Sequence, residues 1–150
     1  MAKEQLSPET TLKLRRTFQV PRERVFRAWT DPLELGRWFA PTEEHHALVP
    51  LLDLRVGGKY SVEIHHSGGN IHRVSGAYRE IVPPEKIVFT WHWEHDPNAS
   101  ESLVTVEFRD LGVSTEILLT HENLPDAEQR EKHGHGWNGC LDQLGAYLNM

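Results

Sequence analysis

The sequence predicts an α+β domain: a curved antiparallel sheet of about seven strands wrapped around a long C-terminal helix, with two short helices after the first strand. Three observations predict it. Residues 45–122 hold one apolar-polar alternation after another, separated by short turns rich in Gly, Pro, Asn and Asp. Strands joined so closely pair antiparallel. Residues 127–148 carry Trp137, Leu141, Leu144 and Leu148 on a single helical face, with His133 one turn earlier. A sheet of that size has to bury its apolar side, and this helix is the only element long enough to cover it.

The elements follow in order. Residues 1–10 read as a flexible tail and residues 11–150 as one domain. Thr11–Phe18 alternates as a strand, with Leu12, Leu14, Arg16 and Phe18 on one side. Pro21 suits the first turn of a helix ending near Thr30, whose apolar face is Val25, Phe26 and Trp29. A second helix starts at Asp31-Pro32, with Asp31 as its cap and Glu34 at the reciprocal capping-box position. Leu35, Trp38 and Phe39 form its apolar face and Pro41 stops it. Strands are then predicted over Ala47–Val56, Lys59–His66, His72–Ile81, Ile87–Glu94, Ser102–Arg109 and Ser114–Glu122. The turns between them centre on Gly57-Gly58, Ser67–Asn70, Pro83-Pro84, Asp96–Asn98 and Asp110–Gly112. No internal repeat or low-complexity segment interrupts this order.

Composition narrows the function. A chain of 150 residues is long enough to fold around its own core without metal or disulfide. Sixteen basic against 22 acidic residues give a formal charge of −6, which argues against a nucleic-acid partner. The longest apolar run, Ala47–Leu52, is far short of the roughly 20 residues of a membrane-spanning helix. Cys140 is the single cysteine and the N-terminus lacks a signal peptide's apolar stretch, so a cytoplasmic location is expected. Ten histidines and five tryptophans are both high counts. Charging every histidine takes the formal charge from −6 to +4, so solubility near pH 6 is expected to depend on pH.

Strand alternation sorts the faces. The apolar-rich sets, assigned to the concave side, are Tyr60, Val62, Ile64 and His66; His72, Val74, Gly76 and Tyr78; Ile87, Phe89, Trp91 and Trp93; Val104, Val106 and Phe108; and Thr115, Ile117, Leu119 and His121. Phe26, Trp29, Trp38, Phe39, His133, Trp137 and Leu141 face them from the helices. This much aromatic surface either interlocks as a core or walls a cavity for a flat, mostly apolar molecule. His66, His72, Trp91, Trp93, His121 and His133 are the candidate polar groups of such a cavity. Gly134, Gly136, Gly139 and Gly145 are costly inside a helix, and either tighten its packing on the sheet or let a ligand approach it.

Four segments also resemble a known family. They are residues 20–32, followed by Trp38-Phe39; Asp53-Leu54-Arg55-Val56-Gly57-Gly58-Lys59-Tyr60; the stretch from Gly76 to Trp91; and His133-Gly134-His135-Gly136-Trp137 with Leu141 and Leu144. Together they resemble the SRPBCC superfamily, the helix-grip fold, and within it the branch related to the C-terminal domain of the activator of heat-shock protein 90 ATPase. The resemblance implies the fold described above. It does not choose a function, because the superfamily includes ligand carriers, cyclases, resistance proteins and co-chaperone domains. The 150 residues do not include the N-terminal domain of the full co-chaperone, so chaperone ATPase stimulation is not implied.

Other chemistry finds little support. His45-His46 and His65-His66 are adjacent pairs that point to opposite faces of a strand, His133 and His135 diverge on a helix, and no metal-binding motif is present. Ligands on neighbouring strands can still meet, His66 with His72 for example. Neither metal nor cofactor is expected. No Gly-x-Ser-x-Gly elbow or phosphate-binding loop occurs, and Cys140 beside the helical stripe reads as a buried small hydrophobe. The favoured function is non-enzymatic binding of a small hydrophobic or aromatic ligand between sheet and helix. One alternative is a protein partner or homodimer, docked through the outer sheet face, a sheet edge, the short helices, or the loops at Pro83-Pro84 and Asp96–Ser100. The other is a cyclase, dehydratase or hydrolase using His66, His72, His121 or Glu63 as acid or base.

Overall fold

The computed structural model describes residues 8–149 except 43, 95 and 97–99. The tail expected over 1–10 lies mostly outside these residues, as does the centre of the Asp96–Ser100 loop. The element order is β1 (Leu12–Phe18), α1 (Arg22–Thr30), α2 (Pro32–Trp38), β2 (His46–Leu52), β3 (Lys59–His65), β4 (Ile71–Val82), β5 (Lys86–Trp93), β6 (Ser102–Asp110), β7 (Thr115–Glu122) and α3 (Ala127–Leu148). All seven strands form one antiparallel sheet in the order β1-β7-β6-β5-β4-β3-β2. Strands β2 to β7 meander, and β1 joins the far edge by pairing with β7, Leu14 opposite Leu119. Helices α1 and α2 carry the chain from one edge to the other. The α+β helix-grip architecture is therefore as expected.

Asp31 makes the α1–α2 junction. Its backbone N–H donates to Arg27 O and closes α1, while its carboxylate accepts from the N–H groups of Leu33 and Glu34 and opens α2. The reciprocal half of the expected capping box is not made. The Asp31 N–H that Glu34 would accept is already spent on α1. Glu34 instead receives Arg24, Arg27 and the hydroxyl of Tyr147 at 2.8 Å, tying α1 and α2 to the last turn of α3.

Strand β2 ends at Leu52, four residues before the predicted limit. It is an edge strand with a register shift between Leu48 and Leu51, where Pro50 sits. The chain then turns over 53–58, Gly57 with φ +85°. A second irregularity follows Tyr78 in β4. Just before it, Tyr60 Oη donates to Thr90 O at 2.6 Å and Ala77 N–H to Thr90 Oγ1 at 2.9 Å. Side chains thus stand in for ladder bonds beside Gly76, whose absent Cβ would lie 2.0 Å from Thr90 O.

The concave sets predicted from alternation are mostly buried, Gly76 being partly exposed, and β5 is buried on its other side too at Val88 and Thr90. Val74, Val104, Val106, Ile117 and His121 are completely buried, while His66, His72 and Trp93 at one end are half-exposed. The core lies between this face, α1–α2 and α3.

Candidate functional site

Helix α3 presents two neighbouring stripes. Trp137, Leu141, Leu144 and Leu148 are buried in the core. Gln129, Lys132, His133, Gly136 and Cys140, on the adjacent face, line an open cavity of about 510 Å³. The other walls are Ile64 of β3, His72 of β4, Trp91 and Trp93 of β5, Phe39 and Pro41 at the end of α2, and Asp96. The aromatic walls brace one another. Trp91 meets Trp137 at 5.1 Å between ring centroids and Trp93 at 5.4 Å, and Phe39 stands edge-on to Trp137 at 5.6 Å. The volume falls within the roughly 300–1,000 Å³ of ordinary ligand pockets.

Alpha-helical packing explains why a hollow remains here. Gly139 brings α3 against the chain leaving α2, and a Cβ there would lie 2.2 Å from Pro41 O. Gly134 and Gly145 meet the side chains of Leu12 and Phe18. Gly136 meets none of the described residues: a Cβ built on it has no neighbour among them within 4 Å. The sequence left helix–sheet packing and ligand approach as alternatives for these glycines. Three are packed against neighbours, and Gly136 opens into the cavity.

Two hydrogen-bonded relays stand in the walls. Trp137 Nε1–H donates to His121 Nδ1 at 3.1 Å, and His121 Nε2 meets Ser102 Oγ at 2.7 Å. Ser102 Oγ donates to Trp91 O at 3.3 Å. Because Nδ1 accepts from an indole, the proton of the neutral ring is on Nε2 and points at Ser102. The second relay is at the mouth. Trp93 Nε1–H donates to His133 Nε2 at 3.0 Å, and His133 Nδ1–H donates to Gln129 O at 2.7 Å. Burial holds both imidazoles neutral. It drives the His121 pKa down to about 3, with His133 adding to the effect, and lowers that of His133 against the pull of the Gln129 carbonyl. Burial also pushes the Cys140 thiol up to about 12.

The sequence-predicted site residues divide into four groups. Phe39, Ile64, His72, Trp91, Trp93, His133 and Trp137 line the main cavity. Trp29, Tyr60, Val62, Tyr78 and Phe89 surround a second void of about 20 Å³, too small for any ligand. Phe26, Trp38, Val106, Phe108, Ile117, Leu119 and Leu141 are buried core side chains that line neither space, and Trp38 Nε1–H is bonded to Ala28 O. His121 stands behind the wall, and His66 beside it, its Nε2 2.9 Å from His72 Nδ1. Glu63 is on the outer face, held by Arg73 and His65.

The histidine pairs meet across strands in a way their spacing did not reveal. His46 stacks on His65 at 4.8 Å, and His45 abuts His66 at 4.3 Å, so each adjacent pair contributes one ring to each side. Among the described residues no group of three or more His, Cys, Asp or Glu is arranged to hold a metal ion. Sequence reasoning did not place Pro41, Asp96, Gln129, Lys132 and Cys140 on the wall, and gave ligand approach at Gly136 as one of two readings. Helical spacing from His133 and Trp137 reaches the four α3 members; nothing local marks Pro41 or Asp96.

Comparison with known proteins agrees with this architecture. The human activator of 90 kDa heat shock protein ATPase homolog 1 is 30% identical over 130 residues, which are 87% of this chain and 34% of that protein. The chain thus spans about a third of that relative's length. Protein CV1439 from Chromobacterium violaceum superposes with a TM-score of 0.84 at 34% identity, covering 91% of this chain and 95% of its own. The AHSA1 protein from Silicibacter pomeroyi does so with 0.81 at 31% identity, covering 93% and 97%. The profile of one family matches residues 19–149, and the chain belongs to it: the Activator of Hsp90 ATPase homolog 1-like proteins.

Proposed function

We propose that this domain binds a small hydrophobic or aromatic molecule, without reacting with it, in the cavity between the sheet and α3. The observation that carries the reading is the space of about 510 Å³ walled by Phe39, Trp91, Trp93 and Trp137. Hydrogen-bond accounting supports binding over acid–base catalysis. Both nitrogens of His121 and of His133 are engaged, and their lowered pKa values leave them neutral at pH 7. His72 is the histidine on the wall outside these relays. The test is titration of the purified protein with N-phenyl-1-naphthylamine, an apolar aromatic probe. Saturable quenching of tryptophan emission with matching enhancement of probe emission is expected. A flat response across a library of aromatic and aliphatic compounds overturns the reading.

A second reading, a co-chaperone-like partner domain, is favoured by the 30% identity to the human activator. Its test is retention of a 90 kDa heat-shock protein on the immobilised domain and stimulation of its ATPase. Neither effect is expected if the cavity is the functional site.

A further inference from the structure

Gly136 is an anomaly of α3. A glycine inside a helix costs about 1 kcal/mol relative to alanine, so its presence calls for a compensating gain. At Gly139 the gain is evident, because any side chain would strike Pro41 O. Gly134 and Gly145 also have packed neighbours. Gly136 has none among the described residues: its φ lies outside the left-handed region, a Cβ there meets none of them within 4 Å, and the residue lines the cavity. Among the described residues, no packing contact calls for glycine at this position. What glycine provides is a bare stretch of helix backbone, flanked by His133 and Trp137 and facing the cavity.

The chemistry of the surrounding wall limits what can lie there. The indole N–H groups of Trp93 and Trp137 are donated to His133 and His121, and the neutral Cys140 thiol is buried. Asp96, Gln129, Lys132 and His72 supply the polar groups of the wall. Phe39, Trp91 and Trp137 present ring faces and edges. A flat apolar ring laid over Phe39, Trp91 and Trp137 takes no hydrogen bond from the Trp93 and Trp137 indoles, which are already paired, and it can lie closer to a bare helix than to one carrying a methyl group.

We propose that Gly136 is the contact point at which a flat aromatic ligand lies against the backbone of α3, and that the missing side chain sets which ligands fit. The inference rests on the ligand-binding reading above and specifies where and how that site selects.

The experiment compares wild type, Gly136→Ala and Gly136→Leu in two measurements: thermal unfolding without ligand, and titration with N-phenyl-1-naphthylamine. Gly136→Ala is expected to raise Tm by about 2–4 °C, since the helix gains and nothing clashes. It is also expected to weaken probe binding by about tenfold. Gly136→Leu is expected to abolish saturable binding, and the alanine variant carries the test if the leucine variant does not fold. Equal probe affinity in wild type and variants overturns the Gly136 assignment while leaving the binding reading intact. A lower Tm for Gly136→Ala overturns it too, by showing that the fold needs the glycine. Absence of saturable binding in wild type overturns the assignment together with the binding reading.

Discussion

His121 shows how one side chain links sequence, packing and acid sensitivity. Strand alternation places it on the concave face, and it is completely buried there. The sequence suggested a group available to a ligand. The structure uses both its nitrogens internally, to receive Trp137 and to reach Ser102. Spacing reveals the face of a residue but not its partners, because the partners come from β6 and α3, each many residues from it in the chain. Trp137→Phe keeps an aromatic ring, smaller than the indole, and deletes the N–H, leaving a buried acceptor unsatisfied. A loss of about 1–3 kcal/mol in chemical denaturation is expected. The pH dependence follows from the depressed pKa. Below pH 6.5 the unfolded chain takes up a proton at this residue, while the folded protein resists until about pH 3. The stabilisation is complete above pH 6.5 and declines as the pH falls, by up to about 1.4 kcal/mol per unit for this group. Urea midpoints are expected to drop from pH 7 to pH 5, and less steeply in His121→Gln. Equal slopes in the two proteins contradict this account.

At the scale of elements, the helix boundaries were legible because their signals are local. Asp31-Pro32 opens α2 where the sequence places it, and Asp31→Ala is expected to cost about 1 kcal/mol. The role of Glu34 was not legible. Its capping-box position is real, but the two helices share Asp31, and the N–H that the motif needs closes α1. The carboxylate turns to Arg24, Arg27 and Tyr147 instead. Burial works against its ionisation, but the bonds from Tyr147 and Arg24 outweigh burial and lower its pKa. Glu34→Gln is therefore expected to cost roughly 1.5–3 kcal/mol, more than loss of the cap, because hydrogen bonds to a charged group are the stronger kind. Tyr147→Phe is expected to lower Tm in the same direction. If Glu34→Gln proves less damaging than Asp31→Ala, the carboxylate does not hold the three helices together. Strand β2 was overrun for a related reason. Alternation continues past Leu52, but the chain already turns at 53–58, and Gly58 has no room for a Cβ beside Asp53 O.

For the whole molecule, periodicity was enough for the architecture and not for the hollow. Seven strands, their concave faces and the covering helix follow from alternation and the α3 stripe. How the concave face divides between filled core and open space does not. That division depends on where α3 meets the end of α2, a contact set by Gly139 and Pro41 between segments about a hundred residues apart in the chain. Toward β6 and β7 the aromatic and aliphatic side chains interlock, Phe26 on Phe108 at 5.2 Å. Around Trp91 and Trp93 the rings pack edge to face along one wall and leave the space in front of them open as the cavity. Gly139→Ala drives a methyl group against Pro41 O, and a loss of about 1–3 kcal/mol is expected from denaturant unfolding.

The most direct measurement is a ¹⁵N-resolved NMR titration of the five tryptophan indole N–H signals with N-phenyl-1-naphthylamine. Trp91, Trp93 and Trp137 line the cavity, whereas Trp38 is bonded to Ala28 O inside the core. Saturable shifts of the first three signals with Trp38 unmoved are the predicted result. Five unchanged signals, or a largest shift at Trp38, contradict ligand binding in this cavity.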